Sequence, residues 1–298
     1  MIKKSTGAVA PDLYVAGEID LPAFLLTTEL PAVIDAGMTF MGKQYAREIH
    51  DALAGRSPAY FFLTHTHYDH CGAAAVLKNV FPDMRICCAA AGAEVLKRPR
   101  AVETIRDLNR AGAKYLETMI DDAAASPEFE TFPVDRTLAD GETLRLGDGV
   151  SVQAIATPGH TRDSMSFYVP EKKMLFTGEA VGIMEGNGYI FAEWLSDYND
   201  YLASLYKLAE LEIDILCPGH GCVLTGEDAA GFIARSIEYC KQFRQLIEQT
   251  LAETGGDVEA AKARIKAEEY DPLPEPKQPE FAYLINLDAK IRAVQKLR

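Results

Sequence analysis

Several features are scarce or missing in this 298-residue chain. No run of 18 apolar residues occurs, so no transmembrane helix is expected. Basic residues are few: 30 Lys and Arg stand against 44 Asp and Glu, a net charge of −14. A charge of that sign repels phosphate backbones and anionic lipid, so neither nucleic acid nor a membrane surface is expected as a partner. The six cysteines, at 71, 87, 88, 217, 222 and 240, form no CxxC pair. They are too sparse for a disulfide scaffold and read as packing thiols of a reducing compartment. Met1-Ile2-Lys3-Lys4 looks like the start of a secretion signal, but Pro11, Asp12 and Glu18 stand where its apolar stretch would be. A cytoplasmic location is therefore expected. Internal repeats and low-complexity tracts are also missing.

What is present suits a globular protein: 48% of residues are apolar and 25% charged, which excludes disorder and a coiled coil. The length allows two domains, or one large sandwich with an appendage. Short apolar runs at Leu13–Ala16, Ala23–Leu26 and Ala32–Ile34, bounded by Gly, Pro and Asp, read as strands. Tyr45, Ile49 and Leu53 share one face of a helix over 40–53. Ala59–Leu63 is apolar enough for a strand buried on both faces, and a helix from Ala73 stops near Pro82. Residues 90–125 read as helical in pieces broken near Pro99. Strands return at Leu144–Leu146, Val150–Ile155, Met165–Val169 and Met174–Phe176. A helix over Tyr201–Leu211 and a strand over Ile213–Leu216 follow. From about 225 the pattern is helical: Ala229–Leu251, Val258–Glu269 and, beyond a Pro-rich connector at 272–279, Glu280–Gln295. The reading is two βα-rich halves packed together with a helical tail, divided at 1–224 and 225–298.

Histidine occurs only six times. Three of the six fall in His65-Thr66-His67-Tyr68-Asp69-His70, a pattern with random odds of roughly one in ten thousand. Two more sit in Thr157-Pro158-Gly159-His160-Thr161 and Pro218-Gly219-His220-Gly221. Each of these segments follows an expected strand, where sheet scaffolds place their sites. Imidazoles with carboxylates are the donor set of borderline transition metals. His65 and His67, two apart in extended chain, face the same way. The turn that follows allows Asp69 and His70 to serve a neighbouring position. One short segment can thus hold two metals, with one more nitrogen for each from His160 and His220.

His-x-His-x-Asp-His, Thr-Pro-Gly-His-Thr and Pro-Gly-His-Gly, in this order over residues 12 to about 222, resemble the metallo-β-lactamase superfamily. Val33-Ile34-Asp35-Ala36-Gly37 is similar to an early strand-ending motif of that family. The resemblance implies an α+β, four-layer αβ/βα sandwich with a dinuclear site at one edge. It implies two divalent ions, zinc or iron with manganese also suited. His65, His67 and His160 would hold the first ion, and Asp69, His70 and His220 the second. The family usually carries a bridging Asp in Thr-Gly-Asp; here Phe176-Thr177-Gly178-Glu179-Ala180 puts a longer carboxylate there. Glu179 then bridges both ions, binds one, or hydrogen-bonds to a bound water.

The helical tail resembles that of glyoxalase II-like and quinolone-signal-response-type thioesterases, and so implies a tail that roofs the metal edge and shapes an acyl pocket. Its loss is expected to harm hydrolysis more than metal content. Between Glu179 and Tyr206 there is no Lys or Arg, while Glu185, Glu193, Asp197 and Asp200 are present; a glutathione thioester therefore fits poorly. Tyr189, Phe191 and Trp194 are candidates for the acyl pocket, or for ordinary packing beneath the tail. Cys71, at the start of a helix, reads as structural. His50 reads as a surface residue and Asp35 as a turn residue or a partner of a ligand histidine; Arg162 and Asp163, close after His160, could support a ligand but are not assigned to it.

The expected activity is metal-dependent hydrolysis of a small-molecule acyl substrate: a thioester, ester or lactone. A bound divalent ion brings water's pKa from 15.7 to about 7 and so supplies hydroxide at neutral pH. With five histidines given to metal, no imidazole is spare to protonate a poor leaving group, which favours thioester over amide; Asp69 or a tyrosine remains as a proton donor. Two alternatives stand beside this: an iron-dependent oxygen or sulfur redox enzyme on the same fold, and a protein-binding effector with a retained metal site. The substrate's acyl and leaving groups and the oligomeric state, a homodimer among the options, stay open.

Overall fold

The computed structural model describes residues 1–116, 127–184, 188–274 and 277–297. The end of the helical stretch expected to reach 125, Glu185, and part of the Pro-rich connector lie outside the described residues. Two seven-stranded sheets are laid face to face. One runs through β2 (Gly7–Ala10), β3 (Leu13–Glu18), β4 (Leu21–Leu26), β5 (Ala32–Ile34), β6 (Tyr60–Phe62), β7 (Arg85–Ala89) and β8 (Arg136–Leu138), in that spatial order. The other has the order β1 (Ile2–Lys3), β16 (Val223–Thr225), β15 (Ile215–Pro218), β12 (Met174–Gly178), β11 (Met165–Val169), β10 (Val150–Ala156), β9 (Thr143–Gly147). A small hairpin, β13 (Ile183–Met184) with β14 (Ile190–Phe191), stands apart.

The strands alternate because both faces of each sheet are covered. In β4, Phe24 and Leu26 point between the sheets while Ala23 and Leu25 point to the helices outside. In β12, Met174 and Phe176 point inward and Leu175 outward. The inter-sheet layer is knitted by rings: Phe24 lies 5.5 Å from Phe176, and Phe62 lies 5.1 Å from Phe167. Over the first sheet pack α1 (Gly42–Ala52), α2 (Tyr68–Cys71), α3 (Ala74–Val80), α4 (Ala90–Val95) and α5 (Pro99–Leu116). Pro99 opens α5, where its missing N–H costs nothing. Over the second sheet lie α6 (Tyr198–Ala209) and the tail helices α7 (Glu227–Glu253), α8 (Val258–Ile265) and α9 (Glu280–Gln295). Among the described residues no helix is long and apolar enough to cross a membrane.

Two expectations shift. The helix read from Tyr201 starts at Tyr198, because Asp197 accepts a hydrogen bond from the Asp200 N–H and caps it there. The tail segment read as one helix to Glu269 ends its α-helical part at Ile265 and closes in a wide turn, Lys266–Tyr270. The tail is also continuous with the body of the protein. Phe232, Cys240, Ile247, Tyr283 and Leu287 share one apolar cluster with Leu175, Leu216 and Leu224 of the second sheet.

Crossovers through helices join the parallel pairs β5–β6, β6–β7 and β12–β15. Strands β10, β12 and β15 run the same way, as do β5 and β6. Their carboxyl ends, where open sheets carry ligand sites, supply the loops described next. Phe62 is fully buried between the sheets, so Phe62→Ala should cost about 3–5 kcal/mol. Phe281→Ala, at a 48% exposed position, should cost within about 0.5 kcal/mol. Denaturant unfolding checks both.

Candidate metal centre

Every expected ligand, and Asp35 with them, lies just beyond a strand end: Asp35 after β5, His65 to His70 after β6, His160 after β10, Glu179 after β12 and His220 after β15. The structure gathers the seven candidate ligands into two groups. His65, His67, His160 and Glu179 form one; Asp69, His70, His220 and Glu179 form the other. In each group the donor atoms lie within 4.8 Å of one another. Glu179 belongs to both. Its Oε1 is 3.3 Å from His70 Nε2 and 3.4 Å from His220 Nε2, and its Oε2 is 3.6 Å from His160 Nε2. The extra methylene thus reaches the seam between the groups.

Four of the five imidazoles are held by their outer nitrogens. His70 Nδ1 donates to Asp35 Oδ2 at 2.9 Å, His160 Nδ1 to the Glu193 carbonyl at 2.7 Å, and His220 Nδ1 to the Asp20 carbonyl at 2.6 Å. Thr64 donates its hydroxyl to Asp35 Oδ2 at 2.7 Å, so its oxygen accepts from His65 Nδ1 at 3.0 Å. These bonds fix the tautomers and aim the Nε2 lone pairs inward. His65 Nε2 is buried with no hydrogen-bond partner. His160 Nε2 faces His67 Nδ1 at 3.0 Å and His70 Nε2 faces His220 Nε2 at 3.2 Å. An orphaned buried nitrogen and two pairs of facing nitrogens are what cations would satisfy. The donor set, imidazole and carboxylate, fits divalent transition ions.

The electrostatics are those of crowded bases. Burial holds His65 well below the ordinary histidine value, with neighbouring imidazoles adding to it. Burial and His160 bring His67 down to about 4. For His70 burial acts downward, but the Asp35 carboxylate outweighs it and holds the ring well above its ordinary value. For His220 burial is likewise outweighed, by the Glu179 carboxylate. Burial pushes the Glu179 carboxyl up, and His160, His220 and His70 overcome that and hold it low. Glu179 is 6% exposed and therefore buried as an anion among imidazoles.

The surrounding loops leave little room to move. Asp35 takes a left-handed backbone, φ +56°, which lets its carboxylate receive Thr64 N–H, Thr64 Oγ–H and His70 together. Asp163 accepts from the Thr66 N–H at 2.9 Å, and the Met165 N–H reaches the Thr64 carbonyl at 2.8 Å, stitching the two sheets at the site. Gly159, at φ +128°, lies against Tyr201: a Cβ there would meet its backbone at 2.3 Å. Asp163, named from the sequence beside His160 but not assigned, thus braces the His65–His70 segment; the sequence named no supporting role for Glu193, Tyr201 or Lys290. Glu193 is fully buried, with Lys290 Nζ at 2.8 Å and Asn286 Nδ2 at 3.1 Å from its carboxylate. Removing one partner of such a pair typically costs about 3–5 kcal/mol.

Other candidates settle as follows. Trp194 is fully buried among Tyr198, Tyr201 and Phe243, and Phe191 packs on Tyr283. Tyr189 is half-buried and hydrogen-bonds to Glu269. Trp194 thus offers no surface to a ligand, and the packing alternative describes its place. Cys71 ends the short helix α2 instead of opening one. It is buried, and burial pushes its thiol well up, as befits a packing residue. His50 is exposed on α1.

Glu179 generates a direct test. Glu179→Ala removes the shared charge and should lose at least one ion, with Glu179→Gln close behind because an amide binds metal poorly. Glu179→Asp keeps the charge, drawn back by about one bond length, and should retain both ions. Metal content of the three variants under equal metal supply decides; an alanine variant that holds metal like the parent would remove Glu179 from the ligand set.

Comparison with known proteins agrees with this geometry. A family model described as the metallo-beta-lactamase superfamily matches residues 23–220. An atrochrysone carboxyl ACP thioesterase of Aspergillus fumigatus is 29% identical over 162 residues, which are 54% of this chain and 38% of that protein. The chain therefore spans well under two thirds of that relative's length. Among solved structures, a metallo-beta-lactamase family protein of Thermus thermophilus superposes with a TM-score of 0.63 at 20% identity, over 97% of this chain and 94% of its own. An archaeal metallo-beta-lactamase superfamily protein of Sulfolobus tokodaii does so with a TM-score of 0.60 at 18% identity, over 99% and 98%. Those two likenesses, tail included, are of fold. With the family model covering well over half its length, the chain belongs to the metallo-β-lactamase superfamily.

Proposed function

We propose that the chain is a metal-dependent hydrolase with a dinuclear centre, acting on a small-molecule acyl thioester. The observation that carries this is Glu179 shared between two converging donor groups whose outer nitrogens the protein already engages. His65, His67 and His160 would hold one ion, Asp69, His70 and His220 the other, and Glu179 both. When bound, such ions supply hydroxide at neutral pH and positive charge for a developing oxyanion.

The chain's own residues set the rest. His65, His70, His160 and His220 each have one nitrogen spent on the protein and the other aimed into the cluster, so none is free as a general acid. Asp69, 17% exposed at the side chain and 3.6 Å from His220 Nε2, is the carboxylate with solvent access that can take or give a proton. A thiolate, with a conjugate acid pKa of about 8.5, leaves without such help; an amine does not. The thioesterase name of the fungal relative points to the same class.

The test is a panel of acyl thioesters, oxygen esters, lactones and amides with metal-loaded and chelator-treated protein. Thioester hydrolysis should dominate, vanish on chelation and return with added divalent metal, while amides stay slow. Hydrolysis indifferent to chelation, or oxygen uptake without hydrolysis, would overturn the reading.

A further inference from the structure

By resemblance the tail is expected to act on the acyl pocket. Its contacts reach Tyr189 and Phe191, and they also lead to the metal centre. Lys290 on α9 is 1% exposed, an unusual place for an ammonium group. Its Nζ sits 2.8 Å from Glu193 Oε1, with the rings of Phe243 and Phe191 at 5.5 and 5.8 Å. Asn286, one turn earlier on α9, donates to Glu193 Oε2 at 3.1 Å. Both carboxylate oxygens are thus gripped by one helix of the tail. The main chain of Glu193 faces the metal centre: its carbonyl accepts from His160 Nδ1 at 2.7 Å, and its N–H donates to the Tyr201 hydroxyl at 3.2 Å. The Tyr201 hydroxyl donates in turn to the Glu179 carbonyl at 3.2 Å. A continuous chain of bonds therefore runs from α9 through Glu193 to His160 and, through Tyr201, to Glu179.

We infer that Lys290 and Asn286 are positioning residues: α9, by holding the Glu193 side chain, fixes the carbonyl that orients His160 and so sets the metal affinity of the group formed by His65, His67, His160 and Glu179. The inference rests on the metal reading above. His160 is the member of that group whose outer nitrogen bonds to a loop carbonyl. Strand-end residues hold His65 and His70 through Asp35. The loop from Glu179 to Tyr198 carries only the small hairpin among its described residues; its far end is tied to the His160 turn by Ser196 and Asp197 bonding to the Gly159 carbonyl, and at Glu193 itself the side chain is the link to α9. The group formed by Asp69, His70 and His220 has supports of its own, Asp35 and the Asp20 carbonyl, and this chain of bonds reaches it through Glu179. Losing α9's grip should weaken one site selectively.

The experiment uses the full chain and zinc, with a chromophoric chelator competing for each ion. Lys290→Met leaves the Glu193 charge buried and unpaired. It should release one of the two zinc ions about 10- to 100-fold more readily, the range seen when supports of metal ligands are removed, and leave the other near its parental affinity. Asn286→Ala, a milder lesion, should weaken the same ion several-fold and serves if Lys290→Met does not fold. Glu193→Gln with Lys290→Met removes both charges and should restore most of the affinity. Leu251→Ala, in the same tail cluster and outside the bonded chain, should lower thermal stability without selective zinc loss. The His160 Nδ1–H proton resonance of the zinc-loaded protein should shift in Lys290→Met and return in the double variant. Parental zinc affinity at both sites in Lys290→Met or Asn286→Ala would overturn the inference. Equal weakening of both ions by Leu251→Ala and Lys290→Met would do the same, by showing a merely structural role. A parent chain that binds no zinc would strike the metal reading itself, and this inference with it.

Discussion

Seven side chains of the types that hold metals turn donor atoms toward each other at one edge, and the rest of the structure is arranged to keep them there. Left alone, the crowd is unfavourable: basic nitrogens are packed against one another away from water, and a carboxylate is buried among them. Two things make it tenable. Outer hydrogen bonds to Thr64, Asp35, Glu193 and Asp20 fix four of the five rings, those of His65, His70, His160 and His220. Cations between the donors would turn the repulsion into coordination, and part of their binding energy would appear as folding energy. The position of Glu179 follows from this constraint. A carboxylate between two groups of imidazoles supplies the charge that both need.

The scaffold meets the constraint by topology. Two sheets, each with parallel strands at its centre, deliver their carboxyl ends to the same edge, and the ring-on-ring layer between them holds those ends in register. Helix α6 presses on the His160 turn, with Tyr201 against Gly159 and Ser204 donating to the Pro158 carbonyl. The tail adds a third support from outside the sandwich. A buried lysine on its last helix is an expensive device for packing alone; it makes sense as an anchor whose other end is a candidate metal ligand.

The centre was legible in the sequence because histidine is rare there and its spacing is constrained by chemistry. His65, His67 and His70 lie on one short segment, and His160 and His220 each follow a Pro-Gly turn after an apolar strand. Glu179 was readable only through resemblance, since a lone Thr-Gly-Glu carries no signal. Of the supports, Asp35 was legible as a partner of a ligand histidine, and it bonds His70; the others were not. His160 and His220 are held by backbone carbonyls, which any residue provides. Glu193 and Lys290 are 97 positions apart, and each looks like an ordinary surface charge until the fold buries both. The long central strands showed their apolar runs, whereas β7, with Arg85 and two cysteines, and the two-residue β1 fall below what periodicity can detect. Apolar spacing alone starts α6 at Tyr201, whereas its start at Tyr198, which the family resemblance gave, is set by the capping Asp197.

The central claim is that this edge holds two metal ions on either side of Glu179. Anomalous diffraction from a crystal of the metal-loaded protein tests it most directly. The account predicts two peaks, one among His65, His67 and His160 and the other among Asp69, His70 and His220, with Glu179 at both. No peak at this edge, or a peak that leaves His160 and His220 more than about 5 Å away where ligand bonds are about 2.0–2.1 Å, would contradict it.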